Sequence, residues 1–247
     1  MLEQIRGKLV VSCQALADEP LHSSFVMGRM ALAAKEGGAA AIRAQGVGDI
    51  LEIRRVTGLP VIGLIKRRQE DSPVYITPTA REVTELLATP CEMVALDATR
   101  WRRSGEAAEL MARIHGAGRL ALADVATYEE GLEAVKAGAD AVYLGGKAFN
   151  MRLHRQDMNF DDEALARAVS YAHAHEVRLY ITINNLISEE ESRVMLVFNK
   201  EVYKVLPYPF LWSECYVFPA KNIKNLLSSV YLFYSYLVRR KVKLYHN

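Results

Sequence analysis

Seven short apolar runs, each separated from the next by a longer polar stretch, constrain this chain more than any other feature. They are KLVVSCQ (8–14), AAAIRAQ (39–45), PVIGLIK (60–66), EMVALDAT (92–99), RLALADV (119–125), DAVYLG (140–145) and VRLYITIN (177–184). Each has strand length, is rich in β-formers and lacks apolar/polar alternation. That pattern belongs to strands buried on both faces, as in a parallel sheet. Several of the stretches between them carry helical spacing. One spans about 22–36 with Phe25, Met27, Met30, Leu32 and Ala33 on it. Another, about 79–89, opens with the capping pair Thr79 and Glu82. A third, about 106–116, ends before Gly116 and Gly118. A fourth opens with Thr127 and Glu130 and stops at Gly138; a fifth starts at Asp161 or Asp162 and runs to about 175. Ser188 with Glu191 marks a further helix start. Strands and helices in alternation predict an α/β fold with right-handed crossovers.

Two architectures satisfy that order: an open doubly wound sheet and a closed barrel. No GxGxxG follows the first strand, which weakens the nucleotide-binding open sheet. Several runs instead end in a polar residue: Gln14, Arg43, Lys66, Asp97 and Asp124. In a barrel these ends converge on one face, where active sites are built. The expectation is therefore a (βα)8 TIM-barrel-like α/β fold, incomplete or chimeric, with no clear eighth strand. At 247 residues the chain can bury about 70–75% of its unfolded surface without a disulfide or metal staple. Cys13, Cys91 and Cys215 are far apart and form no CxxC pair, so they read as packed, reduced thiols. The start lacks a basic segment followed by an apolar run, and no stretch of 18 apolar residues exists. A secretory signal and a spanning membrane segment are not expected, and a cytoplasmic setting is.

The averages conceal a break. Net charge is +2, yet residues 198–247 carry eight Lys/Arg against two acids, leaving 23 basic against 27 acidic residues before them. All 15 glycines lie at or before Gly146, and 12 of the 21 aromatics lie in the last 50 residues. The chain is therefore divided into a barrel-like body, 1–197, and an aromatic, basic tail, 198–247. The near-neutral total gives no case for a nucleic-acid partner.

The strand-end residues carry the chemistry. Lys66 ends an apolar strand, where desolvation disfavours the ammonium and lowers its pKa. An amine tuned this way can take a proton from carbon or form a Schiff base. Alternatively it leaves the strand for water and starts the basic run Lys66, Arg67, Arg68. Arg43 at a barrel mouth suits a phosphate or carboxylate, or an internal ion pair with Asp97 or another acid. Gln14 either orients a substrate or caps the barrel end. Asp97 and Asp124 accept hydrogen bonds from a sugar or hold Lys66 in place. The six histidines show no pairing with zinc-ligand context, so no metal site is read.

KLVVSCQALADEPLHSS (8–24), AAAIRA (39–44), TGLPVIGLIKR (57–67) and YITPT (75–79), extended by CEMVALDAT (91–99) and GRLALADV (118–125), follow one another in collinear order. Through them residues 1–127 resemble the N-acetylmannosamine-6-phosphate 2-epimerase family. Members of that family are (βα)8 barrels. They interconvert N-acetylmannosamine 6-phosphate and N-acetylglucosamine 6-phosphate in sialic-acid catabolism. The resemblance implies no cofactor and a sugar phosphate as the small-molecule partner. It makes Lys66 the expected base and puts Gln14, Arg43, Asp97 and Asp124 around the sugar. Three departures stand out. The family's later strand of the type PVIAEGR supplies a glutamate, where this chain reads RLYITINN. No glycine follows Gly146, although the family holds phosphate on late glycine-rich turns. The family asparagine after the second strand is Gln45 here.

Residues 129–190 resemble the start of the collagenase-like peptidase family, whose relatives include RNA-hydroxylating enzymes. EAVKAGADAVYLGGKAFNMR (133–152) and ALARAVSYAHAHEVRLYITINN (164–185) carry that likeness. Gly145 and Gly146, with Lys147, are either an anion-binding turn or a tight βα turn. In the tail, LLSSVYLFYSYLV (226–238) has 13 residues, too short to span a bilayer. It is read as a helix on an anionic membrane surface, a partner helix or the final barrel helix, and the tail as a whole as a fusion scar or shifted-frame translation. Three functions follow: a sugar-phosphate epimerase; a peptidase-like or RNA-modification protein; or a non-catalytic chimera held together by its tail or as a homodimer. The first is the expectation carried forward, with its activity impaired if the missing glutamate has no replacement.

Overall fold

The computed structural model describes residues 1–145, 160 and 162–182. Seven strands alternate with helices in chain order: α1 (Leu2–Ile5), β1 (Val10–Cys13), α2 (Ser24–Glu36), β2 (Ala41–Gln45), α3 (Val47–Thr57), β3 (Val61–Leu64) and α4 (Ala80–Leu87). Then follow β4 (Met93–Asp97), α5 (Glu106–Gly116), β5 (Leu120–Asp124), α6 (Tyr128–Lys136), β6 (Ala141–Gly145), α7 (Asp162–Ala174) and β7 (Arg178–Thr182). The strands form one parallel sheet in the order β1-β2-β3-β4-β5-β6-β7. Every strand is thus the spatial neighbour of the next, the arrangement of a (βα)8 TIM-barrel-like fold.

The curl of the sheet is visible in its inner face. Arg43 on β2 reaches across to Asp124 on β5 and Tyr143 on β6, strands that are not its neighbours in the sheet. Below them the inner layer is filled by Ala41, Ile62, Leu64, Met93, Ala95, Leu122, Ala141 and Tyr180. Small Ala41, Ala95 and Ala141 interleave with the larger Ile62, Met93 and Leu122, which lets side chains fill a narrow interior. The outward residues pack against the helices in a second, larger core. Burial on both faces explains why these strands read as unbroken apolar runs.

The first turn of the chain completes that interior from the end where the strands begin. Ile5 of α1 is fully buried among the inner residues, with Met1 and Leu2 packed beside it. Glu3 of α1 pairs with Arg178, the first residue of β7, at 2.5 Å.

Both capping boxes form as the sequence suggests. Thr79 and Glu82 open α4, and Thr127 and Glu130 open α6. α3 is a helix the spacing did not announce. It has no side-chain cap, begins after Gly46 and ends on Gly58 in the left-handed region at φ 64°. Gly63 on β3 permits close approach of α3: a Cβ there would lie 2.9 Å from Ile50 Cδ1 and 3.1 Å from Cys91 Cβ.

Cys13 and Cys91 are buried free thiols; burial, with the Asp49 charge adding, pushes Cys13 up to about 12. Cys215, the Ser188–Glu191 helix start and the whole tail 198–247 lie outside the described residues. No helix among the described residues is long and apolar enough to cross a membrane.

Candidate active site

Strand register sets which residues face the interior. Ser12 pairs with Arg43 and Arg43 with Ile62; Asp97 pairs with Asp124, Asp124 with Tyr143, and Tyr143 with Tyr180. Ile62 and Tyr180 belong to the inner layer, so Arg43, Asp97, Asp124 and Tyr143 lie on the inward rows. Asp97 and Asp124 end their strands, whereas Arg43 stands in the middle of β2 rather than at its end. Lys66 follows inward Leu64 by two residues and continues the β3 row past the strand.

Lys66 is held by its backbone. It bridges antiparallel to Ile76, and its N–H donates to Gln45 Oε1 at 3.3 Å. The next residue repeats the pattern, with the Arg67 N–H donating to the Tyr75 carbonyl at 2.8 Å. The loop after β3 therefore folds back on itself as a short ribbon. Its return leg is anchored by fully buried Thr77, whose backbone sits at φ 46°, a conformation disfavoured for a residue before proline. The Thr77 hydroxyl donates to the Ala95 carbonyl at 2.6 Å and accepts from the Ile65 N–H at 3.3 Å. Buried Arg102 ties down the same segment by donating to the carbonyls of Thr77, Pro78 and Asp97. Backbone strain of this kind costs about 1–3 kcal/mol and persists only where surrounding bonds over-determine it. Arg67 turns the other way, to Glu82 and Glu85 on α4.

The Lys66 side chain is half-buried and forms no ion pair with a described residue. Burial lowers its pKa from the usual lysine value, and the Arg43 charge lowers it further, while Glu19 and Asp124 act in the opposite sense. Arg43 is 8% exposed and pairs directly with Asp124. Its guanidinium carbon lies 4.3 Å from the centroid of the Tyr143 ring. Burial works against the Arg43 charge, but Asp124 and Tyr143 outweigh it and raise its pKa. One donor is left over: Arg43 Nε is buried with no hydrogen-bond partner among the described residues. A buried unsatisfied donor costs about 1–3 kcal/mol, so an acceptor arriving there recovers it.

Lys66, Arg43 and Asp124 therefore come together, and the acid that holds Arg43 is Asp124 rather than Asp97. Gln14 stands one residue past β1 and folds back, its Nε2 donating to Ser12 Oγ at 2.6 Å. Asp97 organises its own turn: Oδ1 accepts from the Thr99 N–H at 2.9 Å and from its hydroxyl at 2.7 Å. Gly145 closes β6 and its carbonyl accepts from the Phe160 N–H at 3.0 Å; Gly146 and Lys147 lie outside the described residues. Among the described residues no group of three or more His, Cys, Asp or Glu could hold a metal ion. Sequence reasoning missed Tyr143 and Glu19. For Tyr143 a signal existed: it is two residues past inward Ala141 in the run AVYLG, so alternation puts it on the inner face.

A family model described as "Putative N-acetylmannosamine-6-phosphate epimerase" matches residues 27–174. That match runs beyond Thr127, across β6 and through α7, so the likeness extends further than the motifs at 1–127 suggest. Proteins of Clostridium perfringens and Clostridioides difficile, each described as "Putative N-acetylmannosamine-6-phosphate 2-epimerase", are 65% and 60% identical over 144 residues. These alignments cover 58% of this chain and 65% of each relative, just short of two-thirds of their length. The solved N-acetylmannosamine-6-phosphate 2-epimerase from Clostridium perfringens superposes with a TM-score of 0.69 and 42% identity. It covers 93% of this chain and 95% of that one.

Proposed function

The chain belongs to the N-acetylmannosamine-6-phosphate epimerase family, and from that premise we propose that it interconverts N-acetylmannosamine 6-phosphate and N-acetylglucosamine 6-phosphate. The reaction removes the proton from the carbon bearing the acetamido group and returns one to the opposite face. Lys66 is the base. A free amine is needed for that step, and burial beside Arg43 favours the uncharged form. Loss of the proton moves charge onto the aldehyde oxygen, and stabilising that oxygen is usually the largest contribution to such a rate. Arg43, whose buried Nε–H has no partner among the described residues, is the donor for it. Gln14 hydrogen-bonds the sugar from the β1 side. Asp124 holds Arg43 and lines the sugar, while Asp97 shapes the wall through its turn. Gly145 and Gly146 are candidates for the phosphate end. The reading carries a cytoplasmic setting in amino-sugar catabolism and requires no cofactor.

The observation that carries this reading is the half-buried Lys66 amine on the inner row, unpaired among the described residues and within electrostatic reach of the Arg43–Asp124 pair. The test is proton NMR of N-acetylmannosamine 6-phosphate in deuterium oxide with the full chain. Deuterium is expected at the carbon bearing the acetamido group, and Lys66→Ala should abolish its uptake. A wild-type protein that exchanges no deuterium at high enzyme concentration overturns the proposal. Because RLYITINN offers no carboxylate, the rate is expected to fall short of a two-base site by roughly 10²–10⁴-fold.

A further inference from the structure

We propose that Tyr143 is the positioning residue of this site, pinning the Arg43 guanidinium between its ring and Asp124 so that the charge stays beside Lys66. The inference deepens the epimerase reading and rests on it for its catalytic consequence.

Arg43 belongs to β2, and its long side chain must cross the interior to reach anything that can hold it. Two holds exist on the far side. Asp124 supplies one ion pair, from β5. Tyr143, its register partner on β6, supplies the other. The guanidinium carbon sits 4.3 Å from the Tyr143 ring centroid. The quadrupole of an aromatic face attracts a cation there, by more when both are taken out of water. Arg43 is buried and Tyr143 partly so, which leaves the contact partly desolvated. A single ion pair leaves a guanidinium free to swing about the carboxylate; a ring face beneath it fixes the plane. The fixed plane aims Nε, a buried donor with no partner among the described residues, and holds a positive charge where Lys66 feels it. Tyr143 acts through Arg43.

That route gives a readout independent of turnover. The charged groups facing Lys66 among the described residues are Arg43 on β2, Asp124 on β5 and Glu19 in the loop after β1. If Tyr143 loses its ring, Arg43 is released, and the Lys66 amine becomes easier to protonate. The lysines of the full-length protein are reductively methylated with ¹³C-formaldehyde and titrated by NMR, the Lys66 signal being identified by its loss in Lys66→Arg. Tyr143→Leu should raise the Lys66 titration midpoint by about one unit, the scale of a single nearby charge. Tyr143→Phe, which keeps the ring face and loses only the hydroxyl that also bonds Arg43, should shift the midpoint by less than the Leu variant does. In an Arg43→Gln background the Leu substitution should produce no further shift, because the residue it acts through is gone. In the deuterium-exchange assay Tyr143→Leu should lose about tenfold, and Tyr143→Phe should recover most of that loss.

Tyr143→Met, of similar reach, replaces the Leu variant if that protein does not melt cooperatively. An unmoved Lys66 midpoint in the ring-less variant overturns the proposal, and so does a shift that persists without Arg43. The two readings fail separately. Wild-type protein that exchanges no deuterium sinks the epimerase reading while a shifted midpoint keeps the positioning role. Exchange in the wild type with an unmoved midpoint sinks the positioning role alone.

Discussion

At the scale of single residues, the chain keeps several charges where water is scarce, and each has a different solution. Asp49, near the start of α3, is buried and accepts the Ser24 hydroxyl at 2.6 Å. Burial raises its pKa, and the Ser24 bond and the His22 charge offset that only in part. A carboxyl raised above its unfolded value gives its full stability below the unfolded pKa, near 3.9, and loses it as pH rises through the folded one. Asp49→Asn keeps an acceptor for Ser24 and never ionises. Its stability relative to wild type should therefore improve steadily from pH 4 to pH 7, measured by urea unfolding. Asp49→Ala leaves the Ser24 hydroxyl without its acceptor and should cost about 1–3 kcal/mol. Glu82, 1% exposed, is handled differently: the Thr79 bonds and Arg67 overcome the effect of burial and keep its pKa low.

At the scale of elements, close packing of α3 on β3 depends on a missing side chain. Gly63→Ala puts a methyl 2.9 Å from Ile50 Cδ1, and Ile50 is fully buried with little room to yield. The expected loss is about 1–3 kcal/mol, read as a lower urea midpoint with an unchanged slope. The elements also show what a sequence states openly. All seven apolar runs became strands, because burial on both faces leaves a compositional mark on every residue. α4 and α6 were announced by Thr79–Glu82 and Thr127–Glu130, since a capping box is written in two side chains. α3 has no such cap and opens between Gly46 and Gly48, so its start left no comparable signature. In the site, Lys66 and Asp124 were legible as polar endings on apolar runs, and Arg43 as a charge inside one, although the structure sets it in mid-strand. Tyr143 was legible by alternation only as an inward residue; its role was not, because an aromatic inside a strand looks like core until a cation is found resting on it. Nor was the ribbon that holds Lys66, which depends on a strained Thr77 and on bonds from Arg102, 25 residues further on.

At the scale of the whole molecule, the N-terminal turn and the last described strand meet. Ile5 fills the interior from the end where the strands begin, while the Glu3–Arg178 pair joins α1 to β7 on a more exposed edge. The two contacts should differ sharply in worth. Ile5→Ala should cost about 2–5 kcal/mol, as a buried large-to-small change does. Glu3→Gln should cost no more than about 1 kcal/mol, and less in high salt. Thermal melts of both variants in low and high salt check the contrast; equal losses would show that the ion pair, not the plug, closes that end.

One carboxylate sets how the opposite end can move. Glu130 accepts from the Arg100 N–H through Oε1, and from the N–H groups of Ala126 and Thr127 through Oε2. The segments after β4 and β5 are thereby yoked to the first turn of α6, like two panels on one hinge pin. Neither can lift without dragging the other or breaking the pin. Amide hydrogens at Arg100 and Ala126 should then exchange with solvent at matched rates, and Glu130→Gln should uncouple them.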